Sequence, residues 1–558
     1  MDAVLDASNG AVSDKSGPVQ TLGPLIHNPQ ALELISKRGV SVAASPDKVG
    51  TGTVVVRAHG IPIQDLRGLK QRQEDGNLKI VNATCPEVAK VHSKIKKWSP
   101  KGYFTIILGS HGHAESVAHR SFADSGSMII ASMEEAKALS DEQLKKILVV
   151  AQTTFTVKDY REISLYLQSR AQDCILENTI CEDTWTRQDE AAQLAQIVDA
   201  VVVVGGKASS NTKHLAELAA HYGKPVQYVE TASEMDLSRF TGSETVGVLA
   251  GASTPTWLVD EVVDVLEQLG DGPGKFTRFM YSAFGTPLML AVGAVAMTFG
   301  IHAWIGLALS AHYPLITGTY VLSMYLVNPF LDPMGLGAKG PGRARFLERN
   351  RKVLLATALI SILVSLGLAW SLGLKALAVV AGASLLGATY RRGFFSGGRR
   401  HSLSGIPGSK EVLVAGALSV VAVAMPLWQG THPWTARAWA ALILVTGLGF
   451  ARTVIYDIRD MQNDQVLGRE TLPIAIGKRK AKVLLYVLMG VLGVFTVGAT
   501  LMGARHPHTG VTAGVFGLGL LYPLLYLWYY HERFTTGRSR FELKPELSFY
   551  LLGLLALV

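Results

Sequence analysis

The sequence predicts two unlike folds in one chain: an α/β unit built on a mainly parallel sheet, then an all-α polytopic membrane unit of about nine helices. Three observations predict this. Short, β-branched apolar runs alternate with helical stretches through about residue 270. Long apolar runs then succeed one another to the end of the 558 residues. Lysine and arginine gather in alternate loops between those long runs, as they do on one side of a membrane.

In order along the chain, Gly52–Val56, Phe104–Leu108, Ile147–Ala151, Val201–Gly205 and Val246–Ala250 read as buried strands. Asp189–Gln196 and Asn211–Tyr222 between them carry helical spacing. Strands alternating with helices predict parallel α/β units, whose ligands bind where strands end in loops. The first domain is expected over 1–270, and 271–278, opening on Asp271-Gly-Pro-Gly-Lys275, reads as a linker. The membrane domain is expected over 279–558, with apolar runs near 279–301, 303–328, 353–373, 375–390, 410–429, 434–456, 482–503, 509–530 and 545–558.

Basic loops orient these spans. Lys339, Arg343, Arg345, Arg349, Arg351 and Lys352 share one loop; Arg391, Arg392, Arg399 and Arg400 share the next of the same parity. Such loops face the cytoplasm, and the parity then places the first domain there too. A multi-pass protein of the cell inner membrane is expected, embedded in the lipid bilayer. Met1–Gln20 holds no apolar core of the signal-peptide kind. The net charge of +9 is spread through membrane loops, so no nucleic-acid partner is expected. Three cysteines, Cys85, Cys174 and Cys181, are too few for a disulfide framework and suit a reducing compartment.

Polar groups cluster after the strands of the first domain. Cys85 stands in Asn82-Ala-Thr-Cys-Pro86 and Cys181 in Thr179-Ile-Cys-Glu-Asp-Thr184, each before a helical stretch. Helix N-terminal amides stabilise a thiolate there, which suits ligation of iron. His27, His59, His113 with Glu115, Thr153, Ser209-Ser210-Asn211 and Ser253 follow other strands. Imidazoles with hydroxyl and amide donors provide what a bound diphosphate needs. Singly, each has a plainer reading: a hydrogen-bonded structural histidine, a helix cap or a turn. Cys174 reads as a small packed residue.

Order and wording together are specific. LGPLIHNP (22–29), RAHG (57–60), ATCP (83–86), GHAE (112–115), QTT (152–154), Ile180-Cys181 with Thr184 and Arg187-Gln188, SSN (209–211) and AGASTP (250–255) follow one another. In this the first half, from about Thr21 to Gly270, resembles the 4-hydroxy-3-methylbut-2-enyl diphosphate reductase (LytB/IspH) family. The resemblance implies three pseudo-symmetric α/β subdomains around a 4Fe–4S cluster, with electrons from a donor such as ferredoxin or flavodoxin. It also implies reductive loss of the substrate's hydroxyl to give isopentenyl and dimethylallyl diphosphates. Cys85 and Cys181 would ligate the cluster. His27, His59, His113, Ser209, Ser210, Asn211 and Ser253 would hold the diphosphate. Glu115 would donate the proton and Thr153 would sit beside the substrate's hydroxyl end. The family has a third cluster cysteine in a GFCxGVxRA segment ahead of LGPLIHNP. Met1-Asp-Ala-Val-Leu-Asp-Ala7 reads like the helix that follows that segment, so the third cysteine is expected upstream of Met1.

In the second half, Asp457, Asp460 and Asp464 stand at i, i+3 and i+7 at the end of an apolar run, on one helical face. Carboxylates so placed repel unless a cation such as Mg²⁺ bridges them to a diphosphate, and charge beside a membrane span marks function. A solvated helix end partnered by Arg459 and Arg469 is the plainer reading. Asn328-Pro-Phe-Leu-Asp332 is a thinner second motif, which alone would be a turn. With Gly468-Arg-Glu-Thr-Leu-Pro473, these motifs resemble the UbiA superfamily of intramembrane prenyltransferases, which have nine helices and two Asp-rich motifs. Pro329 replaces that family's first aspartate, and none stands four residues past Asp332, which implies fewer metal ligands. By resemblance, Mg²⁺ at Asn328, Asp332, Asp457, Asp460 and Asp464 would activate a prenyl diphosphate. Lys410, with Arg391 and Arg392, would bind its phosphates.

The preferred reading is a bifunctional isoprenoid enzyme, reductase plus Mg²⁺-dependent prenyltransferase. The alternative is a prenyltransferase carrying a cluster-free diphosphate-binding module. A transporter is a third reading, since inward carboxylates also line ion paths.

Overall fold

The computed structural model describes residues 8, 11–12, 17–25, 28–76, 78–267, 275–331, 346–390, 407–430, 432–466, 471–502, 509–529 and 545–557. His27, Asp332, Arg391 and Arg392 lie outside the described residues. The chain divides into two compact units, residues 1–270 with 465–468, and 271–464 with 469–558.

Valine-rich runs of four to six residues build three parallel sheets in the first unit. The first contains β1 (Val19–Leu22), β2 (Val40–Ala43), β3 (Gly52–Val56) and β4 (Leu78–Asn82), ordered β2-β1-β3-β4. The second contains β5 (Phe104–Leu108), β6 (Ser127–Ile130), β7 (Lys146–Ala151) and β8 (Asp173–Leu176), ordered β6-β5-β7-β8. The third contains β9 (Ala200–Val204), β10 (Val226–Val229) and β11 (Val246–Ala250), ordered β10-β9-β11. One winding is therefore used three times, the third sheet having three strands among the described residues. Within each sheet the register aligns the strand ends: Leu108 pairs with Ala151 and Val204 with Ala250. Loops leaving neighbouring strands thus start at one level.

The helices are α1 (Pro29–Ser36), α2 (Ile63–Glu74), α3 (Pro86–Trp98), α4 (Ala114–Arg120), α5 (Met133–Lys137), α6 (Val157–Arg170), α7 (Glu182–Ile197), α8 (Ser210–His221) and α9 (Thr256–Leu266). Their apolar faces cover the sheets. On α3, Val88, Val91, His92 and Ile95 are buried at helical spacing, while Lys90, Lys96 and Lys97 face out. Val91 and Ile95 pack with Ile107, Leu148 and Val150 into a core shared by the first two sheets' elements.

The second unit is wholly helical among the described residues. Six helical segments are long and apolar enough to cross a membrane: Pro287–Ile305, Arg351–Leu372, Ser409–Gln429, Ala436–Met461, Lys478–Leu501 and Gly510–Trp528. The sequence suggested about nine spans. The runs expected at 375–390 and 545–558 are apolar helices too short for that group, Leu374–Thr389 and Leu547–Leu557. The run expected at 303–328 is a helix, His312–Leu331, but Thr317, Thr319, Ser323 and Asn328 dilute it. Leu359, Ile360, Leu363, Val494, Leu521 and Trp528 are each more than half exposed, the surface expected of helices solvated by lipid. A wide π turn at Val420–Ala424 precedes Pro426 in the Ser409–Gln429 segment, where the ring removes one backbone donor.

Candidate functional site

The repeated winding puts equivalent residues at equivalent strand ends. After the first strand of each unit comes a helix N-cap. Asn28 Oδ1 accepts from Ala31 N at 2.9 Å, His113 Nδ1 from Glu115 N at 3.2 Å, and Ser209 Oγ from Thr212 N at 3.4 Å. His59, Thr153 and Ser253 follow the third strands β3, β7 and β11. Cys85 and Cys181 follow the fourth strands β4 and β8, as the N-cap residues of α3 and α7. This is the carboxyl-end edge at which parallel sheets bind ligands.

At the centre of the arrangement is Glu115, 1% exposed. Its Oε1 accepts from the Thr153 backbone N–H at 2.7 Å, and its Oε2 from Thr153 Oγ1 at 3.1 Å. His119 Nε2, one helical turn on, lies 3.3 Å from Oε1. Burial by itself would raise this carboxyl. The His119 hydrogen bond and charge, the charge of His59 and the Thr153 N–H outweigh it and hold the group at about 2. His113 meets His59 edge-on, with ring centroids 5.3 Å apart. The structure therefore joins His59, His113, Glu115 and Thr153 in one group.

Gly60 lets the His59 loop turn. Its φ is +73°, its N–H donates to Arg57 O at 3.0 Å, and a Cβ there would stand 3.1 Å from His92 Cε1. Gln152 Oε1 accepts from Ser110 N and from Ser116 Oγ, both at 3.2 Å, locking the Thr153 loop to the His113 loop. His214 Nδ1, 2.9 Å from Thr154 O, ties α8 to the same loop. On α8, Asn211 is buried with neither amide atom hydrogen-bonded, and Ser210 Oγ is buried without a partner. Such atoms call for a polar ligand.

The two cysteines are held alike. Cys85 N–H donates to Ala58 O at 2.9 Å, and Cys181 N–H to Thr153 O at 3.0 Å. Both thiols are free. Burial, then Asp183 and Cys85, raise the Cys181 thiol; the N–H groups of Asp183 and Thr184 pull the other way. Their chemistry fits two ligand positions of an iron–sulfur cluster: both thiols stand at helix starts, and the Asp183 and Thr184 amides face the Cys181 sulfur. Cys174, by contrast, is pushed up to about 11 by burial, then by Asp173, and packs against the second core.

In the second unit, Lys410 Nζ lies 2.6 Å from Asp457 Oδ1, linking residues 47 apart in sequence. Gly449 permits this approach of helices: a Cβ there would stand 3.2 Å from Ala415 Cα. Asp457 is buried and its Oδ2 has no hydrogen bond. Asp464 is buried, and Asp460 Oδ1 accepts from Arg459 Nε at 2.8 Å. Buried carboxylate oxygen is the donor set Mg²⁺ takes, and the orphaned Oδ2 leaves a lone pair for it. Asn328 is exposed in the last turn of its helix. Among the described residues, no three His, Cys, Asp or Glu side chains converge as a metal-ligand group.

His119, His92, Gln152 and His214 were not singled out from sequence. His119 was findable, at i+4 from Glu115. The others are placed by tertiary contacts.

Two domains are thus defined: a parallel α/β unit with two free cysteines at helix starts and a buried Glu–Thr–His group, and a helical membrane unit with a Lys410–Asp457 ion pair. Residues 2–267 match the LytB protein family model and residues 348–543 the UbiA prenyltransferase family model. Among curated relatives, the 4-hydroxy-3-methylbut-2-enyl diphosphate reductase of Geobacter sulfurreducens is 39% identical over 256 residues, 46% of this chain and 89% of the relative. That of an Anaeromyxobacter species is 39% identical over 270 residues, 48% and 92% of the two chains. Among solved structures, the reductase of Plasmodium falciparum aligns over 48% of this chain and 83% of that chain, at 23% identity and TM-score 0.44. A UbiA homolog from Archaeoglobus fulgidus bound to GPP and Mg²⁺ aligns over 50% and 98%, at 16% identity and TM-score 0.36. The chain belongs to the LytB family of 4-hydroxy-3-methylbut-2-enyl diphosphate reductases through its first half and carries a UbiA prenyltransferase domain in its second. It is a membrane protein with two enzyme domains.

Proposed function

We propose that residues 1–270, joined through 271–278 to the membrane domain 279–558, reduce 4-hydroxy-3-methylbut-2-enyl diphosphate to isopentenyl and dimethylallyl diphosphates. The observation that carries this is the Glu115–Thr153 pair, closed by two hydrogen bonds, with the Cys181 N–H on the Thr153 carbonyl. His59, His113, Ser210, Asn211 and Ser253, with His27 and Ser209, bind the diphosphate. The imidazoles balance its charge, and the unsatisfied Ser210 and Asn211 gain their hydrogen bonds from it. Thr153 orients the hydroxyl end, and Glu115, ionised at rest, passes on the proton the leaving hydroxyl takes. Cys85 and Cys181 would be two ligands of a 4Fe–4S cluster, which when bound would supply electrons and Lewis acidity at the hydroxyl end. A ferredoxin- or flavodoxin-type protein delivers those electrons.

The membrane domain transfers a prenyl group from its diphosphate to a membrane acceptor with Mg²⁺. Asp457, Asp460 and Asp464, with Asn328 and Asp332, would hold the metal. Lys410, with Arg391 and Arg392, takes the diphosphate's charge, and Asp457 positions Lys410 for it. The protein resides in the inner membrane with its first unit in the cytoplasm. The first domain makes five-carbon units and UbiA substrates are commonly longer, so an elongating synthase acts between the two.

Anaerobic purification of the chain, with and without the coding sequence preceding Met1, tests the reductase. Iron, sulfide and substrate turnover with reduced methyl viologen are measured. About four irons per chain and both products are expected. Diphosphate binding without iron or turnover in either form would establish the cluster-free module instead.

A further inference from the structure

Behind Glu115 stands a line of buried imidazoles that the reduction, as derived above, does not use. His119 is fully buried, and its Nε2 meets Glu115 Oε1 at 3.3 Å while its Nδ1 has no hydrogen-bond partner. His92 meets His119 edge to face, with ring centroids 5.0 Å apart. The other face of His92 stacks on Phe122, at 4.0 Å and 19°. His92 Nε2 also lacks a partner. His92 and Phe122 line a pocket of about 220 Å³, whose polar wall is Asn82, Thr84, Ser93 and Lys96. Ser93 and Lys96 are exposed at its surface. A pocket of that size admits several waters.

We propose that His119 and His92 form the route by which protons from this pocket reach Glu115 between turnovers. The proposal rests on the reductive reading. In that reaction the allylic C–O bond breaks, two electrons arrive from an external one-electron donor protein, and two protons are consumed. One leaves with the hydroxyl as water and the other joins the allyl carbon. Both must be replaced from solvent. Glu115 has no solvent contact, and its oxygens meet only Thr153 and His119. Bound substrate covers the Thr153 side during turnover, which leaves His119 as the resupply side.

Two adjacent buried nitrogens without hydrogen bonds are a costly arrangement, about 1–3 kcal/mol each. A relay explains their retention. An imidazole takes a proton on one nitrogen and releases one from the other without lasting charge. With centroids 5.0 Å apart the two rings are in contact, which is the proximity a nitrogen-to-nitrogen transfer requires. The charged and titratable groups facing the pair are Glu115, His59 and Lys96. Burial first, then His119, hold His92 neutral, at about 3, so it rests with one ring nitrogen unprotonated.

The full chain, reconstituted anaerobically and driven by reduced methyl viologen, tests the route with His119→Gln and Ser93→Trp. Gln keeps a donor to Glu115 but cannot relay; Trp fills the pocket mouth from an exposed position. Each variant is expected to lower kcat, about tenfold or more for His119→Gln, with KM within twofold, iron content unchanged and a raised solvent isotope effect. In the cluster-free chain, deuterium exchange at the histidine C2 positions, read by mass spectrometry, is expected at His92 and slowed by Ser93→Trp. Wild-type kcat and isotope effect in His119→Gln would overturn the route. So would loss of iron or a risen KM in step with kcat, which marks a structural role. Unaltered His92 exchange and kcat in Ser93→Trp would also overturn it. Failure of the unmodified, iron-loaded chain to turn over would instead sink the reductive reading, while histidine exchange still decides the pocket's access.

Discussion

Asn82, the last residue of β4, and Asn178, two residues past β8, hold one place relative to the cysteine that follows each. Asn82 Oδ1 accepts from the N–H of Thr84 at 3.1 Å and Asn178 Oδ1 from that of Ile180 at 3.2 Å. Three residues past each asparagine stands a cysteine that opens a helix. The side chain mimics a backbone turn and aims the next N-cap. Asn82→Ala and Asn178→Ala should each cost about 1 kcal/mol and loosen the thiol's placement. The check is iron per chain beside thermal unfolding. Full iron retention in both variants would deny the turns any part in presenting sulfur.

Thr153 holds Glu115 twice, through its N–H and its hydroxyl. Thr153→Val keeps the first bond and the shape and removes the second. The carboxylate then loses one of its donors in a buried site. Reduction should fall about 10- to 100-fold, on the scale of a general acid–base contribution. KM should change little, because in the proposed site the imidazoles, not Thr153, carry the diphosphate. A variant as fast as the parent would remove Thr153 from the chemistry.

His92 makes stability depend on pH. Its folded state stays neutral to about 3, because burial and the neighbouring His119, helped by Lys96, outweigh the attraction of Glu115. The unfolded chain protonates near the ordinary histidine value, about 6.5. The unfolded state therefore binds more protons between these values, and stability is lost as pH falls through that window. The slope is at most about 1.4 kcal/mol per pH unit. His92→Phe keeps the Phe122 stack and should flatten the dependence of unfolding temperature between pH 6.5 and 5. An unchanged slope would assign the acid sensitivity elsewhere.

Local pattern made much of this legible. The strands at Gly52–Val56, Phe104–Leu108 and Val246–Ala250 lie where their apolar runs end, because a buried parallel strand leaves no polar residue to blur its limits. The triple winding was legible only through the resemblance, since nothing in Val201 or Val246 states which strand it will pair. His119 was within reach as an i+4 neighbour. Lys410–Asp457 and Arg452–Glu546 were not, because their partners lie 47 and 94 residues away and meet only through helix packing. The helix expected within 303–328 forms as His312–Leu331 although it carries several polar residues, because hydroxyls return to its own carbonyls, as Thr317 Oγ1 does to Tyr313 O at 2.9 Å.

Asp457 keeps Lys410 in place before any diphosphate arrives. Lys410→Met removes the cation and leaves a buried carboxylate uncompensated. That should cost about 1–3 kcal/mol, below the value for a fully buried pair because the lysine side chain is 33% exposed. Asp457→Asn should spare stability and abolish Mg²⁺-dependent prenyl transfer. Isothermal titration of Mg²⁺ with a prenyl diphosphate, beside thermal unfolding in detergent, reads both effects. Undiminished metal binding by Asp457→Asn would move the metal away from this helix.

Arg452 and Glu546 form a buried ion pair in the membrane unit. The guanidinium donates through Nε at 2.8 Å and lies 2.6 Å away through the second nitrogen, while Tyr456 donates to the same carboxylate at 3.1 Å. Arg452 Nη1 donates to Tyr325 Oη at 2.7 Å, so one cation joins three helical segments. Glu546 is fully buried and stands at the start of Leu547–Gly553, whose neighbour Phe549 packs in the main core. Losing one partner strands a charge without water, whereas losing both removes the desolvation cost with the attraction. Arg452→Met should therefore destabilise the chain by about 3–5 kcal/mol, and Arg452→Met with Glu546→Leu by clearly less. Thermal unfolding in one detergent decides it by a double-mutant cycle. Equal losses in the single and double variants would mean that Arg452 acts through Tyr325 and packing alone, and that the carboxylate of Glu546 is held by Tyr456.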